Sequence, residues 1–390
     1  MYRDICLPLE RGITSPQRVV VAMIDGLDPA YLAGGTMPQL ARFGQAGLTA
    51  TVEAVLPTVT NANNASICCA AWPSEHGITG NSYFNPVTGQ ADYMESAAHL
   101  TAPTLLERVT AAGGKSALLT AKVKTVGLLG NRATLAIAAE RPDAAIAERY
   151  GQPPDIYSAE INHWLWQVAV DLLATQPDLG LLYVHTTDFP MHAWRPGDPR
   201  SDRHLRRLDE LIGSVADTAP DAALFATADH GMNDKTLVWD LAQALASRGT
   251  PVRFALSAEK DRYVKHHRTF GGTAWVWLSR PGDEATVTGL LSGLDGVEAV
   301  IPRDVAARRF HLYPDRIGDL VVLGDRGTVF GELPPGRESE RLPDGYRSHG
   351  SLHERQVPLV VYNSEHVHTQ PPAANKDLLS PLLHGWLPGS

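Results

Sequence analysis

Apolar positions along the chain follow two rhythms. Residues 18–25 (RVVVAMID), 116–120, 178–187 (DLGLLYVHTT) and 222–227 (AALFAT) are short, nearly continuous apolar runs, the pattern of buried strands. Residues 48–56 form another strand-like run, which Pro57 ends. Residues 37–47, 102–112, 155–176 and 201–218 repeat apolar side chains at helical spacing, with Pro38 near the start of the first. Strands alternating with helices predict an α/β protein. Beyond residue 234 the pattern loosens: 235–248 and 283–294 read as helices, and 272–278, 297–301 and 319–323 as strands. Residues 325–346 are rich in Gly, Pro and charge, 347–363 return to a buried strand, and 374–386 read as a closing helix. The expected organisation is a core of residues 1–234 and 347–390, interrupted by a smaller cap-like subdomain at 235–346 over the strand ends.

Several strands end in polar residues of one kind. Asp25 closes the first, Asp188 follows the run at 178–187 with His192 four residues on, and Asp229 and His230 follow 222–227. In open α/β sheets the chemistry sits just past the carboxyl ends of strands. Each residue also has an ordinary use: an Asp after a strand makes a turn or caps a helix, and a lone His can be a surface residue. Pro190 between Asp188 and His192 favours a loop over an uninterrupted helix. Residues 58–71 (TVTNANNASICCAA) supply cap residues ahead of an apolar helical pattern, so the hydroxyl of Thr60 is either a plain cap or a metal-activated nucleophile. Asn81, in a glycine-punctuated loop, can donate its amide to a phosphoryl oxygen or make a turn. Lys122 and Lys124, past the strand at 116–120, can neutralise an anionic substrate or form a solvated pair. With His349 ahead of the last strand, the set Asp25, Thr60, Asp188, His192, Asp229, His230 and His349 offers oxygen and nitrogen ligands for two metal ions. Zinc accepts such mixed donors, and paired ions clamp both ends of a phosphoryl transfer.

Composition narrows the function without fixing it. The chain has 390 residues, 44% apolar and 20% charged, which suits a globular protein with a sizeable core. A net charge of −9 argues against nonspecific binding to nucleic acid or an anionic membrane. Cys6, Cys68 and Cys69 fit neither a zinc knuckle nor a disulfide framework. The first residues lack an apolar signal core and no stretch is long enough to span a bilayer, so a cytoplasmic enzyme without a membrane or nucleic-acid partner is expected. Oligomeric state is not legible, and a homodimer stays open.

The motifs together carry a resemblance. VVAMIDG, PTVTNANNASI, HGITGN, TAKVK, TTDFPMH, TADHGMN, KHHRTFGG, DRIGDLVVLG and RSHGSLHERQVPL, spread over about residues 19–363, resemble the alkaline phosphatase superfamily and, within it, the phosphonoacetate hydrolases. The resemblance implies an alkaline-phosphatase-like, mostly parallel sheet flanked by helices. It implies two Zn2+ per chain, with Mn2+ or Fe as alternatives. One would be held by Asp188, His192 and His349, the other by Asp25, Asp229 and His230 with Thr60 as both ligand and nucleophile. Asn81 matches the residue that contacts the phosphonate, and Lys122 and Lys124 the pair that binds the substrate carboxylate. His267 lies in a substrate-pocket segment without an assigned role, and His353 is the rival to His349. The implied reaction is hydrolysis of the C–P bond of phosphonoacetate, a small anionic phosphonate, to phosphate and acetate through a phosphothreonine. The paired lysines favour a phosphonate with an acid arm, because a carbon leaving group needs its charge delocalised. Val123 between the lysines, Phe189–Met191, Trp194, Arg195 and Arg268–Phe270 depart from the family pattern, and Val123, Trp194 and Arg268 motivate an alternative, a phosphodiesterase or phosphomonoesterase with the same metals. A catalytically inactive metal-binding protein is the third reading.

Overall fold

In the computed structural model, described for residues 17–263, 265, 268–364 and 370–385, one seven-stranded sheet organises the chain. Its strands are β1 (Val19–Met23), β2 (Leu48–Glu53), β3 (Lys115–Thr120), β4 (Leu135–Ala138), β5 (Leu179–His185), β6 (Ala223–Thr227) and β7 (Gln356–Tyr362), in the order β2-β7-β6-β1-β5-β3-β4. β1 runs parallel to both neighbours, with Val19 opposite Leu181 and Ala223. All strands share one direction except β7, which pairs antiparallel with β2 and β6. Every residue of β1 and β6 is buried, as their continuous apolar sequences require when helices cover both faces. The core around this sheet includes Val20, Leu118, Leu182 and Phe225, and helices Glu160–Thr175 and Pro199–Thr218 supply Trp166, Leu205 and Leu208 to it.

A second, antiparallel sheet has the order 254–257, 273–277, 320–324, 297–302. Successive side chains of Thr273–Trp277 and Leu320–Gly324 point to opposite faces. Ala274, Val276, Leu320 and Val322 enter one apolar cluster; Trp275, Val321 and Leu323 enter another that also holds Leu56, Val59 and Ala62 of the main unit. Both faces are therefore buried, which explains why these strands read as unbroken apolar runs.

Residues 235–248 were expected to be one helix, but Leu237–Trp239 is a strand between Thr328–Phe330 and Ser339–Arg341. The helix starts only at Leu241, where the Asp240 side chain caps Gln243 N at 3.1 Å. Two short strands thus lie inside the Gly- and Pro-rich 325–346 stretch. The edge strand β4 and the hairpin Ser82–Asn85/Gln90–Tyr93 have no sequence signal strong enough to read. The closing segment is a 3-10 turn at Asn375–Leu379 followed by a helix at Ser380–Gly385. His267 lies outside the described residues. No helix among the described residues is long and apolar enough to cross a membrane.

One buried ion pair fastens the last crossing between the two sheets. Lys235 Nζ lies 2.7 Å from Glu354 Oε1, and neither side chain is exposed to solvent. Glu354 also accepts from Asn233 Nδ2, Ser351 N and Ser351 Oγ. Burial alone would raise the Glu354 carboxyl, but Lys235 and these donors hold it below the ordinary glutamate range. Its contribution to stability is therefore present above the unfolded-state value and is lost as pH falls through the depressed folded-state value. Lys235→Met is expected to cost about 3–5 kcal/mol, because it strands a buried carboxylate. A urea titration at neutral pH checks this; a midpoint equal to wild type would contradict it.

Candidate active site

The sheet topology brings the polar residues to one edge. β1, β5 and β6 are parallel, so Asp25, Asp188 and the Asp229–His230 pair, each two or three positions past its strand, arrive at the same carboxyl end. β7 runs the other way, so its approach segment, carrying His349, reaches that edge too. The approach is fixed by pairing of Arg347–Ser348 with Asn233–Asp234 and by Gly350. Gly350 has φ +111°, and a Cβ there would meet Gly272 N at 2.6 Å. Asp188 and His192 are joined by a helical turn, Phe189–Ala193, rather than the loop expected from Pro190. Pro190 sits at the second position of that turn, where its missing N–H costs no helical bond.

The histidines share one orientation. His192 Nδ1 donates to Arg347 O at 2.8 Å, His349 Nδ1 to Thr58 O at 2.8 Å, and His230 Nδ1 to Gly231 O at 3.0 Å. A carbonyl can only accept, so in each neutral ring Nδ1 carries the proton and Nε2 presents its lone pair. Those Nε2 atoms face carboxylates. His192 Nε2 is 2.8 Å and His349 Nε2 3.8 Å from Asp188 Oδ2. His230 Nε2 is 3.5 Å from both Asp25 Oδ1 and Asp229 Oδ2. Donor atoms of Asp188, His230 and His349 lie within 4.8 Å of one another, and so do those of Asp25, His185 and Asp229. The two groups are contiguous, and His230, grouped with Asp188 and His349, is also within 3.5 Å of Asp25 and Asp229, so it can serve either one. His353 is elsewhere: its Nε2 lies 2.6 Å from Glu298 Oε2 and its side chain is 33% exposed.

These donors suit divalent cations. Asp25 Oδ1, Asp229 Oδ2 and His230 Nε2 are buried and have no hydrogen-bond partner among the described residues. Three converging lone-pair donors are costly unless a cation or a proton sits among them. The charges agree. Burial and the nearby Asp25 push Asp229 well above the carboxylate range. Burial and Asp188 act on Asp25 in the same sense, but Lys122 and His185 outweigh them and hold it low. A metal ion removes the need for a proton on Asp229.

Thr60 opens the helix Thr60–Cys69, every residue of which is buried. The asparagines of its TNANN motif each meet a specific need. Asn63 clamps the incoming loop, accepting from Val55 N at 2.8 Å and donating to Pro57 O at 3.1 Å. Asn64 Nδ2 donates to Thr60 O at 3.1 Å and lies 3.4 Å from His185 Nε2. Asn61 N donates to Asn81 Oδ1 at 3.0 Å, which leaves the buried Asn81 Nδ2 without an acceptor among the described residues. The helix start is thus tied to both donor groups: Thr58 O holds His349, and Asn64 reaches His185.

Lys122 and Lys124 are 2% and 4% exposed, so they are not a solvated pair. Lys122 Nζ lies 3.2 Å from Asp188 Oδ1 and 3.8 Å from Asp25 Oδ2. Lys124 Nζ pairs with Asp261 Oδ2. Asp188 and Asp25 outweigh burial and raise Lys122 above its ordinary value, so it is a firm cation.

Four residues at this site were not legible in the sequence. His185 is the last residue of β5; its Nε2 is 3.2 Å from Asp25 Oδ2 and its Nδ1 3.0 Å from Thr120 Oγ1. A histidine that ends an apolar run, three residues before Asp188, was the available signal. Glu259, Asp261 and Tyr263 come from the charged stretch EKDRY after Phe254–Ser257, which reads as surface. All three are buried. Glu259 Oε2 lies 3.7 Å from His349 Nδ1, and burial with the nearby Asp261 pushes its carboxyl up to about 8.

Comparison with known proteins places this geometry. The fold matches phosphonoacetate hydrolase from Sinorhizobium meliloti 1021, solved with phosphonoformate, at a TM-score of 0.84 and 30% identity over 94% of this chain and 96% of that one. The complex of that enzyme with phosphonoacetate matches equally, at 29% identity over the same shares of each chain and TM-score 0.84. Murine ectonucleotide pyrophosphatase/phosphodiesterase 5 shares the fold, with a TM-score of 0.69 and 18% identity over 94% of each chain. An uncharacterized pyrophosphatase/phosphodiesterase of Schizosaccharomyces pombe is 23% identical over 244 residues, which span 57% of this chain and 46% of that protein. The chain therefore spans about half the length of that curated relative. The model of the type I phosphodiesterase / nucleotide pyrophosphatase family matches residues 19–351. The chain belongs to that family, and so is a hydrolase of the alkaline phosphatase superfamily with an α/β fold built on a mostly parallel sheet.

Proposed function

We propose that the protein hydrolyses the C–P bond of phosphonoacetate, with Thr60 as the nucleophile. The observation that carries this reading is the pair of buried ammonium groups, Lys122 and Lys124, beside two contiguous carboxylate–imidazole groups. The likeness to phosphonoacetate hydrolase supports it. Two divalent ions, zinc foremost with manganese or iron as alternatives, would be held by Asp188, His192 and His349 and by Asp25, Asp229, His230 and Thr60; when bound they supply Lewis-acid activation of a hydroxyl and screening of the phosphonate charge.

The chain's own groups do the rest. Thr60 Oγ attacks phosphorus in line and keeps the phosphoryl group as phosphothreonine. Asn81 Nδ2, which needs an acceptor, donates to a phosphoryl oxygen. The electron pair of the breaking C–P bond moves into the substrate carboxylate, and Lys122 and Lys124 stabilise the enediolate-like charge. The proton that the Thr60 hydroxyl gives up passes through water to the carbon and completes acetate, and one water then releases phosphate from Thr60 and restores its hydroxyl. Segment 235–346 serves as the cap, with Glu259, Asp261 and Tyr263 as its contribution to the pocket.

Lys124→Met is expected to lower kcat/KM for phosphonoacetate about 10²-fold, while p-nitrophenyl phosphate, which has no arm, changes less than about tenfold. Taking the ratio of two substrates on one protein cancels any loss of folded enzyme. Equal losses on both would count against the lysine as an arm contact.

One observation favours the second reading, an ester hydrolase with the same metals. Lys124 is already paired with Asp261, so its charge is not open to a substrate carboxylate without competition. Phosphate release by the metal-loaded protein, measured on phosphonoacetate, p-nitrophenyl phosphate and the corresponding phenyl diester, separates the two. An ester turned over faster than phosphonoacetate supports the second.

A further inference from the structure

We propose that Asp261 is a specificity-determining residue: a carboxylate built into the protein that occupies Lys124 and weakens ligands carrying a carboxylate next to phosphorus, relative to ligands without one. The inference rests on reading Lys122 and Lys124 as the contacts for the substrate's arm.

Three observations carry it. First, Asp261 Oδ2 pairs with Lys124 Nζ while Oδ1 accepts from Arg262 N at 2.6 Å, so both oxygens are engaged. Second, the pair is enclosed: the side chains of Lys124 and Asp261 are 1% and 7% exposed. In such a place an ion pair is neither hydrated nor screened by salt, and a second carboxylate must displace Asp261 or share the ammonium with it. Third, Asp261 is held in position independently of any ligand. Ser82 Oγ donates to Lys260 O at 2.6 Å, Arg262 pairs with Glu95, and Tyr263 Oη donates to Glu140 Oε2 at 2.7 Å. The Tyr263 ring also lies over both ammonium groups, 5.6 Å from Lys122 Nζ and 5.5 Å from Lys124 Nζ. Glu140 accepts from Val123 N as well, at 2.9 Å, which ties the lysine-bearing turn to the same clamp.

The two lysines therefore differ. The ion-pair partners of Lys122 are Asp188 and Asp25, and both are expected metal ligands whose charge the ions would counter. The ion-pair partner of Lys124 is Asp261, which lies in neither donor group. An incoming carboxylate competes with Asp261 directly at Lys124, while at Lys122 the charge of Asp261 acts only after those of Asp188 and Asp25. A site arranged this way grades its ligands by the charge of the arm, through a repulsive element as much as an attractive one.

The test is calorimetric titration of the zinc-loaded protein with phosphonoformate, which carries a carboxylate, and with methylphosphonate, which does not. Asp261→Asn removes the charge and keeps an acceptor for Lys124. It is expected to tighten phosphonoformate about tenfold relative to methylphosphonate. Asp261→Glu, which keeps a tethered carboxylate, should retain the wild-type ratio. Asp261→Ser is a second neutral variant, to be read in the same way should the asparagine protein fail to fold. An unchanged or reduced preference for phosphonoformate in the neutral variants overturns the proposal. Binding is read without turnover, so the outcome is separable from the reaction itself. A wild-type protein that fails to cleave phosphonoacetate while its neutral variants still gain affinity for phosphonoformate would refute the C–P reading and leave Asp261 in its role.

Discussion

Thr60→Ala protein is expected to lose turnover by 10³- to 10⁶-fold, on the order seen when a nucleophile is removed from a working site. Its fold should survive. Thr60 is the first residue of its helix, Val59 and not Thr60 is the N-cap, and the asparagines clamp the loop through main-chain groups that alanine also has. The comparison with Thr60→Ser separates a nucleophile from a packing residue, since serine keeps the hydroxyl and loses only a methyl group. A serine variant within about a hundredfold of wild type, beside a dead alanine variant, is the pattern of covalent catalysis. Residual activity in the alanine protein within tenfold of wild type would remove Thr60 from the mechanism.

Stripping the metal is the second large effect. A chelator should take activity to background, and added zinc should restore it. Loss of the ions should also destabilise the fold, by about 2.7 kcal/mol for a site held at a hundredfold excess over its Kd. pH sets how much. Burial and Asp25 raise the Asp229 carboxyl well above its unfolded-state value. In metal-free protein the stability from that proton is complete below the unfolded value and is lost as pH rises through the raised folded value. The metal takes the proton's place, so the gain in Tm on adding zinc should be larger at pH 8 than at pH 5. Equal gains at both would mean that no carboxyl proton is displaced.

Much of this site could be read from the sequence because strands end abruptly. An apolar run that stops in Asp25 or in Asp229–His230 marks both a strand and its carboxyl end, and the α/β sheet follows from the alternation. The direction of β7 was not legible, yet it is what brings His349, rather than the chain after the strand, to the common edge. Short strands escaped because pairing decides them: Leu237–Trp239 has three residues, too few for a period, and it is held by neighbours ninety or more residues away. The helical turn between Asp188 and His192 was read as a loop, because Pro190 looks disruptive until its place at the start of the turn is known. His185, Asp261 and Tyr263 remained hidden for another reason. Each looks ordinary in its local stretch, and only the fold shows that it is buried against Asp25 or the lysines. The position of His230, within reach of Asp25 and Asp229 on one side and grouped with Asp188 and His349 on the other, likewise depends on distances that spacing does not encode.

The proposed chemistry requires two metal ions side by side at the carboxyl edge of the sheet, next to Thr60. An anomalous difference map from crystals of zinc-loaded protein, recorded on both sides of the zinc edge, tests it most directly. Two peaks are expected, one in contact with Asp188, His192 and His349 and one in contact with Asp25, Asp229 and His230, with the Thr60 hydroxyl in reach of the second. A single peak, or peaks away from these side chains, would contradict it.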